Sequence, residues 1–497
     1  MAYASFSQFV TALEKAGELK RIGVPVATEL EITEIADREM KSPGGGKALL
    51  IEKPVIAGRV SPIPVAINTM GSRRRMAMAL GIGSVDELAH EMQLILKAKP
   101  PTGLREAWTL LRQGIDLLHA RPRRVSDGPC KEVVHRFKGD GAEEAAFTLE
   151  NLPVLKCWPR DGGRFITLPN VHTRDPETGE RNVGMYRMQI YDGTTAGMHW
   201  QVHKVGARHG KRYYERSERM PVAVTLGGDP AMTFAATAPL PDGLDEVLFA
   251  GFVRKKSVDL VKCETIDLEV PADADFVLEG YVQPGEMRAE GPFGDHTGFY
   301  TPVDDYPVFH LTAITHRKQP VYPATIVGIP PMEDFYMGSA TVRVFLPVFR
   351  MNFPEIVDMA LPAEGVFHNL VFVSICKQYA WQAYKIMHGL WGMGQMMFSK
   401  YIVVVDEDCD VHNTSEVLFR LCANTDPQRD STFIKNPCDA LDHAQTQPTI
   451  GSHMGIDATR KLPGEGYTRP WPELLKMDAG VKERVDAILK SLERPLP

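Results

Sequence analysis

Residues 290–298 read Glu-Gly-Pro-Phe-Gly-Asp-His-Thr-Gly and place two carboxylates, Glu290 and Asp295, five positions apart. On a regular strand an odd separation would direct the two side chains to opposite faces of the sheet. Glycine and proline residues, which favour turns, lie between and after the two acids. The segment therefore predicts a bent backbone that allows both carboxylates to converge on one pocket.

The residues around this segment predict a β-rich central part of the chain. Between about residues 132 and 316, short β-branched runs alternate with clusters of Gly, Pro and Asp, which is typical of a largely antiparallel sheet or a barrel. We expect strands at 165–168, 185–191, 222–226, 276–282 and 308–314, and one helix at 244–254.

Both flanks of the central part predict alternating helices and strands. The N-terminal flank shows a helix capped by Ser5 or Ser7 and ended by Gly17, then a helix at 32–40 and strands at 48–51 and 63–67. The C-terminal flank shows apolar runs at 369–375 and 401–405, which are typical of a parallel sheet, a helical stretch at 378–398 between them, and a last helix near 480–492.

The length of 497 residues exceeds what one hydrophobic core serves, since single cores stop growing at about 250–300 residues. We expect an α/β and β multidomain protein. Its parts are an N-terminal α/β domain at 1–120, a central β domain at 121–320, and a C-terminal α/β domain with a terminal helix and oligomerisation tail at 321–497.

Composition excludes several classes of protein. The net charge of −7, from 56 basic and 63 acidic residues, provides no broad basic field for nucleic acid. The seven cysteines are scattered, odd in number and without a C-x-x-C pair, which argues against a disulfide framework and indicates a reducing cytoplasm. The charged N-terminus is not a signal peptide, and no window approaches 18 apolar residues.

Common hydrolase and nucleotide motifs are missing: the sequence contains no P-loop, G-x-S-x-G, H-E-x-x-H or helix-opening G-x-G-x-x-G. Two further segments instead carry polar groups, Asn-Val-Gly-Met-Tyr-Arg at 182–187 and Met-His-Trp-Gln-Val-His-Lys at 198–204. They indicate an arginine paired with one of the two carboxylates, while the other carboxylate acts as a general acid or base. From the residues alone, a structural ion pair and a structural histidine remain alternatives to a catalytic pair and a metal ligand.

These segments, together with others along the chain, resemble the UbiD family of decarboxylases, which includes the 4-hydroxy-3-polyprenylbenzoate decarboxylase of ubiquinone synthesis and ferulic acid decarboxylase. The matching stretches run in a fixed order over nearly the whole chain: GELKRI (17–22), ELEITEIADR (29–38), NVGMYR (182–187), EGPFGDHTG (290–298), FPEIVD (353–358), KQYA (377–380) and MGIDAT (454–459). The resemblance implies that the central domain is a split β-barrel similar to flavin reductases.

The resemblance also implies a cofactor, prenylated FMN, that acts as an electron sink no amino-acid side chain can supply. It assigns the catalytic roles to Arg187, Glu290 and Asp295, where some members have Glu at the third position. Asp295 is then the proton donor, and we expect burial to raise the pKa of its carboxyl. Arg187 and Glu290 would orient the substrate carboxylate.

Further site residues follow from the same resemblance. Asn182, His203 and Glu246 match the ligands of a divalent ion, Mn²⁺ or Mg²⁺, that tethers the flavin phosphate. A K⁺ ion is expected on main-chain carbonyls around residues 236–238. The expected cofactor contacts are Thr167, Met185, Tyr186, Arg187, His199, Trp200, Gln201, Lys204 and Lys400.

The substrate is the least determined part of the interpretation. The ubiquinone precursor 4-hydroxy-3-polyprenylbenzoate is the first hypothesis, and a hydroxybenzoate, a naphthoate of menaquinone synthesis or a heteroaromatic acid are its alternatives. Pocket residues within 332–337 or 393–398 would decide between them. A flavin-binding protein without decarboxylase activity and a paired-carboxylate hydrolase are the competing classes. The expected partners are a flavin prenyltransferase, further copies of the chain in a dimer or hexamer, and transiently a membrane, all in the cytoplasm.

Overall fold

A computed structural model describes residues 2–96, 120–137, 147–200, 204–240 and 243–492 of the chain. Its helices are α1 (Phe6–Lys15), α2 (Glu31–Met40), α3 (Arg73–Ala79), α4 (Val85–Leu96), α5 (Val205–Glu215), α6 (Pro230–Ala235), α7 (Glu246–Arg254), α8 (Glu333–Asn352), α9 (Gln382–Trp391), α10 (Thr414–Asn424) and α11 (Ala479–Leu492). Its strands are β1 (Leu19–Ala27), β2 (Ala48–Ile56), β3 (Arg59–Val60), β4 (Val65–Ile67), β5 (Arg123–Val125), β6 (Val133–Arg136), β7 (Phe165–Ile166), β8 (Asn170–Arg174), β9 (Arg181–Gly184), β10 (Met188–Ile190), β11 (Thr195–Met198), β12 (Met220–Leu226), β13 (Asp259–Lys262), β14 (Glu269–Pro271), β15 (Phe276–Glu290), β16 (Phe293–Gly294), β17 (Tyr300–Thr301), β18 (Asp304–His316), β19 (Tyr322–Ala324), β20 (Ile356–Ala360), β21 (Leu370–Ile375), β22 (Tyr401–Asp406), β23 (Ser431–Pro437) and β24 (Ile450–Asp457).

The N-terminal part is an α/β layer, as the sequence predicts. Ser5 caps α1 by accepting a hydrogen bond from the backbone N–H of Gln8, and the helix buries Phe9 and Leu13 completely. Strands β1, β2, β4 and β19 form the sheet, and β3 pairs with β2. Strand β19 follows the central part in the chain and pairs with β4 in a parallel direction. The chain therefore returns to this first sheet after it has completed the central part.

The N-terminus of α8 is held against this first sheet by a buried carboxylate. Glu333 is fully buried; its Oε1 accepts from the backbone N–H of Met70 at 2.6 Å and its Oε2 accepts from the Thr325 hydroxyl at 2.8 Å. The next residue, Asp334, lies near the 290–298 segment, close enough for the charge of His296 to lower the pKa of its carboxyl. The start of α8 therefore joins the first sheet to the central part of the chain.

The central part contains a nine-stranded antiparallel sheet in the order β7-β10-β11-β18-β15-β12-β8-β9, with β6 also paired to β18. The two long strands β15 and β18 pair with each other and form its middle. Among the described residues the end strands β7 and β9 do not pair with each other, so no closed barrel is seen there. The antiparallel prediction is confirmed, whereas the split-barrel description stays a prediction.

The C-terminal part contains a mixed five-stranded sheet in the order β20-β21-β22-β24-β23. Strands β21, β22 and β24 are parallel, as the apolar runs predict, and the two edge strands are antiparallel. The expected helical stretch at 378–398 is interrupted: α9 ends at Trp391, and a short 3-10 helix (Gly394–Phe398) begins at Gly394, which takes a left-handed conformation with φ 47°. The terminal helix α11 is present and largely exposed.

The structure also bears on two expectations from the sequence, one about the cysteines and one about membrane-spanning helices. All seven cysteines lie within the described residues and are free thiols. Within those same residues no helix has both the length and the apolar character needed to cross a bilayer.

Candidate active site

A hairpin of the central sheet brings Arg187 and His199 together. Arg187 directly precedes β10 and His199 directly follows β11, and these two strands are paired antiparallel. The backbone N–H of His199 donates to the carbonyl of Arg187 at 3.2 Å. The hairpin therefore fixes the two side chains side by side at one end of the ladder.

Glu290 is the last residue of β15 and is completely buried between these two side chains. Arg187 holds it at two points: Nε donates to Oε1 at 2.9 Å and Nη2 donates to Oε2 at 3.1 Å. His199 Nδ1 lies 2.9 Å from the same Oε2. A two-point contact of this kind fixes the plane of the guanidinium as well as its charge.

The backbone after Glu290 bends and brings Asp295 to the same guanidinium. Gly291 has φ 99°, a conformation that residues with a Cβ rarely adopt. Gly294 passes so close to Trp158 that a Cβ would lie 2.2 Å from the indole ring. Arg187 Nη1 then donates to Asp295 Oδ2, so both carboxylates of the 290–298 segment pair with one arginine.

Asp295 is also the start of a chain of imidazoles. Its Oδ1 lies 2.8 Å from His296 Nδ1, and His296 Nε2 lies 2.8 Å from His368 Nε2. Asp439 lies beside both rings. One ring nitrogen of His296, one of His368 and one carboxylate oxygen of Asp439 all lie within 4.8 Å of one another. This group comes from three separate parts of the chain.

The electrostatics of the cluster favour the ionised pair. Burial would raise the pKa of Glu290, but the hydrogen bond from His199 and the charge of Arg187 hold it below its usual range. Burial would lower the pKa of Arg187, but Asp295 and Glu290 raise it. Burial lowers the pKa of His199 despite its contact with Glu290, so this ring is a neutral donor.

The expectation that burial raises the pKa of Asp295 is wrong for this structure. Burial does act in that direction, but the hydrogen bond and the charge of His296, together with the charge of Arg187, outweigh it and hold the pKa well below the usual aspartate range. The sequence argument considered burial and omitted the positive neighbour that follows Asp295 in the chain. In the folded protein Asp295 is therefore a carboxylate.

Of the three expected metal ligands, the structure brings two together. Asn182 lies in β9, Glu246 is the first residue of α7, and Glu246 Oε2 accepts from the backbone N–H of Val183 at 2.9 Å. Burial raises the pKa of Glu246 to about 7, as expected for a carboxylate with little positive charge near it. The amide and carboxylate oxygens are ligands that suit a hard divalent cation, so these two residues fit the ion. The third ligand, His203, lies outside the described residues.

Two of the expected flavin contacts, Tyr186 and Trp200, lie beside this pair. Tyr186 interacts with Asn182 and its hydroxyl accepts from the backbone N–H of Gly206. Trp200 packs edge-on against Tyr186, and neither its Nε1 nor His199 Nε2 has a hydrogen-bond partner among the described residues, although both atoms are buried. The indole N–H is an unpaired donor and the Nε2 of the neutral His199 ring is an unpaired acceptor, and such atoms fit a site that is completed by a polar ligand.

The remaining expected contacts are more dispersed. Thr167 accepts a hydrogen bond from the backbone N–H of Thr325, and Met185 packs against the apolar cluster of the N-terminal part. Lys204 caps α5, and burial lowers its pKa. Lys400 forms an ion pair with Asp442 at 2.6 Å, so its ammonium is engaged within the C-terminal part. Gln201 lies outside the described residues.

Sequence reasoning missed four residues that border the catalytic candidates. His296 stands in the quoted segment and could have been found there, as the residue after Asp295. His368, Asp439 and Asp334 carry no local signal, because only the tertiary fold brings them to His296. Burial raises the pKa of Asp334 to about 7.

Comparison with protein families gives three consecutive matches. Residues 10–93 match the N-terminal domain, residues 123–330 the Rift-related domain, and residues 335–458 the C-terminal domain of 3-octaprenyl-4-hydroxybenzoate carboxy-lyase, all three of the UbiD family. An uncharacterized protein of Archaeoglobus fulgidus is 49% identical over 490 residues, which are 98% of this chain and 98% of the relative.

Solved structures with the same fold include characterised enzymes. The vanillic acid decarboxylase of Sedimentibacter hydroxybenzoicus in closed form is 26% identical, with a TM-score of 0.84 over 99% of this chain and 100% of the other. The UbiD-class enzyme HmfF of Pelotomaculum thermopropionicum in complex with FMN is 27% identical, with a TM-score of 0.79 over 96% and 98%. An evolved dimeric form of HmfF in complex with prFMN is also 27% identical, with a TM-score of 0.76 over 94% and 97%.

Proposed function

Because the chain belongs to the UbiD family of decarboxylases, we propose that it removes CO₂ from an aromatic or α,β-unsaturated carboxylic acid with the help of bound prenylated FMN. The observation that supports this proposal is the buried cluster in which Arg187 pairs with both Glu290 and Asp295. When bound, prenylated FMN supplies the electron sink that stabilises the charge left on carbon as CO₂ departs.

The roles of the charged residues follow from their contacts. Arg187 uses three of its nitrogens on Glu290 and Asp295, so its guanidinium is fixed in the site. Glu290 anchors this arginine from the end of β15, and His199 supports Glu290 from the other side. We assign to Asp295 the delivery of the proton to the substrate carbon, because its other carboxylate oxygen faces a proton-bearing group, His296.

Asn182, His203 and Glu246 would hold a Mn²⁺ or Mg²⁺ ion against the phosphate of the cofactor. Asn182 and Glu246 provide hard oxygen ligands, and a phosphate with a hard cation is a stable pair. Lys204, partly buried at the start of α5, would add positive charge to the same phosphate. A K⁺ ion on carbonyls around residues 236–238 and contacts from Thr167, Met185, Tyr186, Trp200, Gln201 and Lys400 complete this part of the proposal.

The candidate substrates are 4-hydroxy-3-polyprenylbenzoate, a small hydroxybenzoate, a naphthoate of menaquinone synthesis and a heteroaromatic acid. The ubiquinone precursor 4-hydroxy-3-polyprenylbenzoate is one, and it would bring transient membrane contact with it. A small hydroxybenzoate is the second, and the polar groups near Asp295 favour it: the unpaired Nδ1 of His368 and the carboxylate of Asp439 offer partners for a ring hydroxyl. The likeness to a decarboxylase that acts on vanillic acid, at a TM-score of 0.84, points the same way.

The domain division at about 120 and 320 and assembly into a homo-oligomer are part of the proposal. The central part would form the split β-barrel, with the cofactor between it and the C-terminal part. The terminal helix α11 exposes Val485, Ile488 and Leu489, whose exposed fractions are 43%, 57% and 52%. Three apolar side chains on one exposed helix favour contact with another copy of the chain.

The experiment that tests the proposed function is co-production of the chain with a flavin prenyltransferase. The purified protein should show flavin absorbance and bound divalent metal, and it should release CO₂ from one or more acids in a panel of hydroxybenzoates, naphthoates and heteroaromatic acids. Reverse carboxylation at high bicarbonate is the control. A loaded protein that binds the flavin but releases no CO₂ from any acid would identify a flavin-binding protein instead, and activity without flavin would identify a hydrolase.

A further inference from the structure

The residue that is to deliver a proton, Asp295, does not hold one in the folded chain. Its Oδ2 is paired with Arg187, and its Oδ1 accepts from the backbone N–H of His296 at 2.7 Å and faces His296 Nδ1 at 2.8 Å. Three positive or proton-donating groups therefore surround one carboxylate. The proton that ends on carbon has to come from one of them, and an arginine does not release protons in proteins.

The protonation state of His296 follows from the contact of its second ring nitrogen, Nε2, with His368. His296 Nε2 lies 2.8 Å from His368 Nε2, and a hydrogen bond between two imidazole nitrogens contains one proton, which belongs to one ring. Burial would lower the pKa of His296, but Asp295, Asp334 and Asp439 raise it. Burial and the charge of His296 lower the pKa of His368 to about 4. The shared proton therefore belongs to His296, which is an imidazolium that donates on both sides.

His368 is placed to keep His296 in this state. It lies just before β21, in a different part of the chain from Asp295 and His296, and Phe367 packs its ring 5.5 Å from that of His296. The charged or titratable groups that act on His368 are His296, Asp295, Asp439 and Asp442. The neutral His368 ring accepts the proton of His296 Nε2, so this hydrogen bond favours the protonated form of His296. The other ring nitrogen of His368, Nδ1, has no partner among the described residues.

We propose that His296 stores the proton that replaces the departing carboxylate and passes it through Asp295 to carbon, while His368 positions His296 by accepting from its Nε2. This inference rests on the proposed function. The bond between the ring carbon and the carboxylate breaks, its electron pair stays on the side of the carbon, and CO₂ leaves. A proton moves from His296 Nδ1 to Asp295 Oδ1 and from Asp295 to the carbon, where the new C–H bond forms.

The step is balanced without an oxidant or a reductant. One proton is consumed for each CO₂ released, His296 ends as a neutral ring, and water restores its proton after the product leaves. His296 acts through Asp295 and His368 acts through His296, so both are positioning residues rather than groups that touch the substrate.

The first test needs neither flavin nor turnover. Histidine rings of the ¹³C-labelled chain are titrated by NMR, and the spectrum of His296→Gln identifies the His296 signal. We expect the His296 ring to remain charged at neutral pH, and we expect Asp295→Asn to lower its titration midpoint. A His296 ring that is neutral at neutral pH in the unsubstituted chain overturns the proposal, whatever the variants do.

The second test uses the flavin-loaded protein and the pH profile of kcat. In the unsubstituted enzyme kcat should fall as the pH rises through the raised pKa of His296, because the stored proton is lost. For His296→Gln we expect about a 100-fold lower kcat at neutral pH, little change in KM and a falling limb displaced towards acid pH. His388→Gln, an exposed histidine on α9, is the matched control and should behave like the unsubstituted enzyme.

Substitution of His368 separates positioning from simple packing. His368→Gln keeps an oxygen that can accept from His296 and should retain most of the activity, whereas His368→Leu removes the acceptor and should lower kcat about tenfold. Equal loss in both variants, or an unchanged pH profile in His296→Gln, overturns the proposal while the decarboxylase assignment stands. If the unsubstituted loaded protein releases no CO₂ at all, the proposed function and this inference fall together.

Discussion

At the scale of single residues, the site depends on one guanidinium shared by two carboxylates. Arg187 pairs with both Glu290 and Asp295, and all three side chains are less than a tenth exposed. Removing Arg187 deprives Glu290 of its positively charged partner and leaves Asp295 paired with His296. The cluster should therefore matter for folding as well as for catalysis.

Replacing Arg187 tests this directly. We expect Arg187→Met to lower the free energy of unfolding by about 3–5 kcal/mol, because it breaks a buried ion pair and leaves the Glu290 carboxylate without its positively charged partner. Arg288→Met is the control: Arg288 is half exposed and lies over the Tyr191 ring, so its loss should cost about 1 kcal/mol or less. Denaturant unfolding of the flavin-free proteins measures both values, and similar costs for the two variants would contradict the assignment.

The contact between Asp295 and His296 should stabilise the fold only within a window of pH. The folded pKa of Asp295 is depressed, so its contribution is present above its unfolded pKa of about 3.9 and is lost as the pH falls. The folded pKa of His296 is raised, so its contribution is complete below its unfolded pKa of about 6.5 and is lost as the pH rises through the folded value.

A double-mutant cycle of Asp295→Asn and His296→Gln measures this coupling from unfolding free energies. We expect about 1–3 kcal/mol between pH of about 4 and 6.5, and less outside that range. A coupling energy that does not vary with pH would show that the two side chains interact through packing alone.

At the scale of elements, each of the nine strands predicted from the sequence overlaps one of the 24 strands of the described residues, but the tertiary neighbours of these strands were not predicted. The bend at 290–298 could be predicted because glycine and proline act locally, and Gly291 indeed has a left-handed backbone. The helix at 378–398 was predicted as one piece, and Gly392 and Gly394 are the local signals that should have divided it. The pairing of His296 with His368 could not be predicted, because the two residues are 72 positions apart and the contact depends on the packing of separate parts of the chain.

The parallel strands β21 and β24 explain two of the motifs that carried the family resemblance. Lys377 follows β21 and Asp457 ends β24, so both lie at the carboxyl edge of the C-terminal sheet. The fully buried ammonium of Lys377 lies 2.6 Å from Glu465 and 3.4 Å from Asp457, and it donates to the Thr459 hydroxyl at 2.8 Å. The KQYA and MGIDAT motifs therefore meet in one buried ionic cluster.

We predict that Lys377→Met destabilises the protein by about 3–5 kcal/mol, because the buried carboxylate of Glu465 loses its positive partner and Asp457 is left with Lys461. Lys385→Met provides the comparison. Lys385 also pairs with a carboxylate, Glu355 at 2.6 Å, but its side chain is 46% exposed, so the expected cost is at most about 1 kcal/mol. A loss of unfolding free energy that is larger for Lys385→Met than for Lys377→Met would show that the buried ionic cluster does not stabilise this sheet more than an exposed ion pair does.

Metal binding depends on how β9 and α7 meet. Because Glu246 begins α7 and bonds to the backbone of β9 beside Asn182, we expect Glu246→Gln to weaken Mn²⁺ binding by about tenfold or more. Asp245→Asn is a matched control, since Asp245 caps the same helix from the preceding position and an asparagine can cap it equally well. Titration of the metal-free protein with Mn²⁺, followed by electron paramagnetic resonance, gives the two affinities. Equal affinities for the two variants would remove Glu246 from the proposed ligands.

At the scale of the whole molecule, the order of α/β, β-rich and α/β parts was visible in the sequence, because hydrophobic periodicity reports local structure. The return of β19 to the first sheet and the link from Glu333 to Met70 were not, since both join residues that are distant in the chain. These links hold the start of α8 between the N-terminal sheet and Asp295. A chain with this layout can place side chains from its C-terminal part, such as His368, against the catalytic candidates of its central part.

The most direct measurement of the central assignment is the rate of CO₂ release by flavin-loaded protein from a ¹³C-carboxyl-labelled acid selected in the panel, compared between the unsubstituted chain and Asp295→Asn at equal flavin content. Removal of a group that transfers a proton lowers turnover by about 10²–10⁴-fold, and we predict a loss in this range per molecule of folded protein with bound flavin. Turnover of Asp295→Asn at the rate of the unsubstituted chain would contradict the assignment.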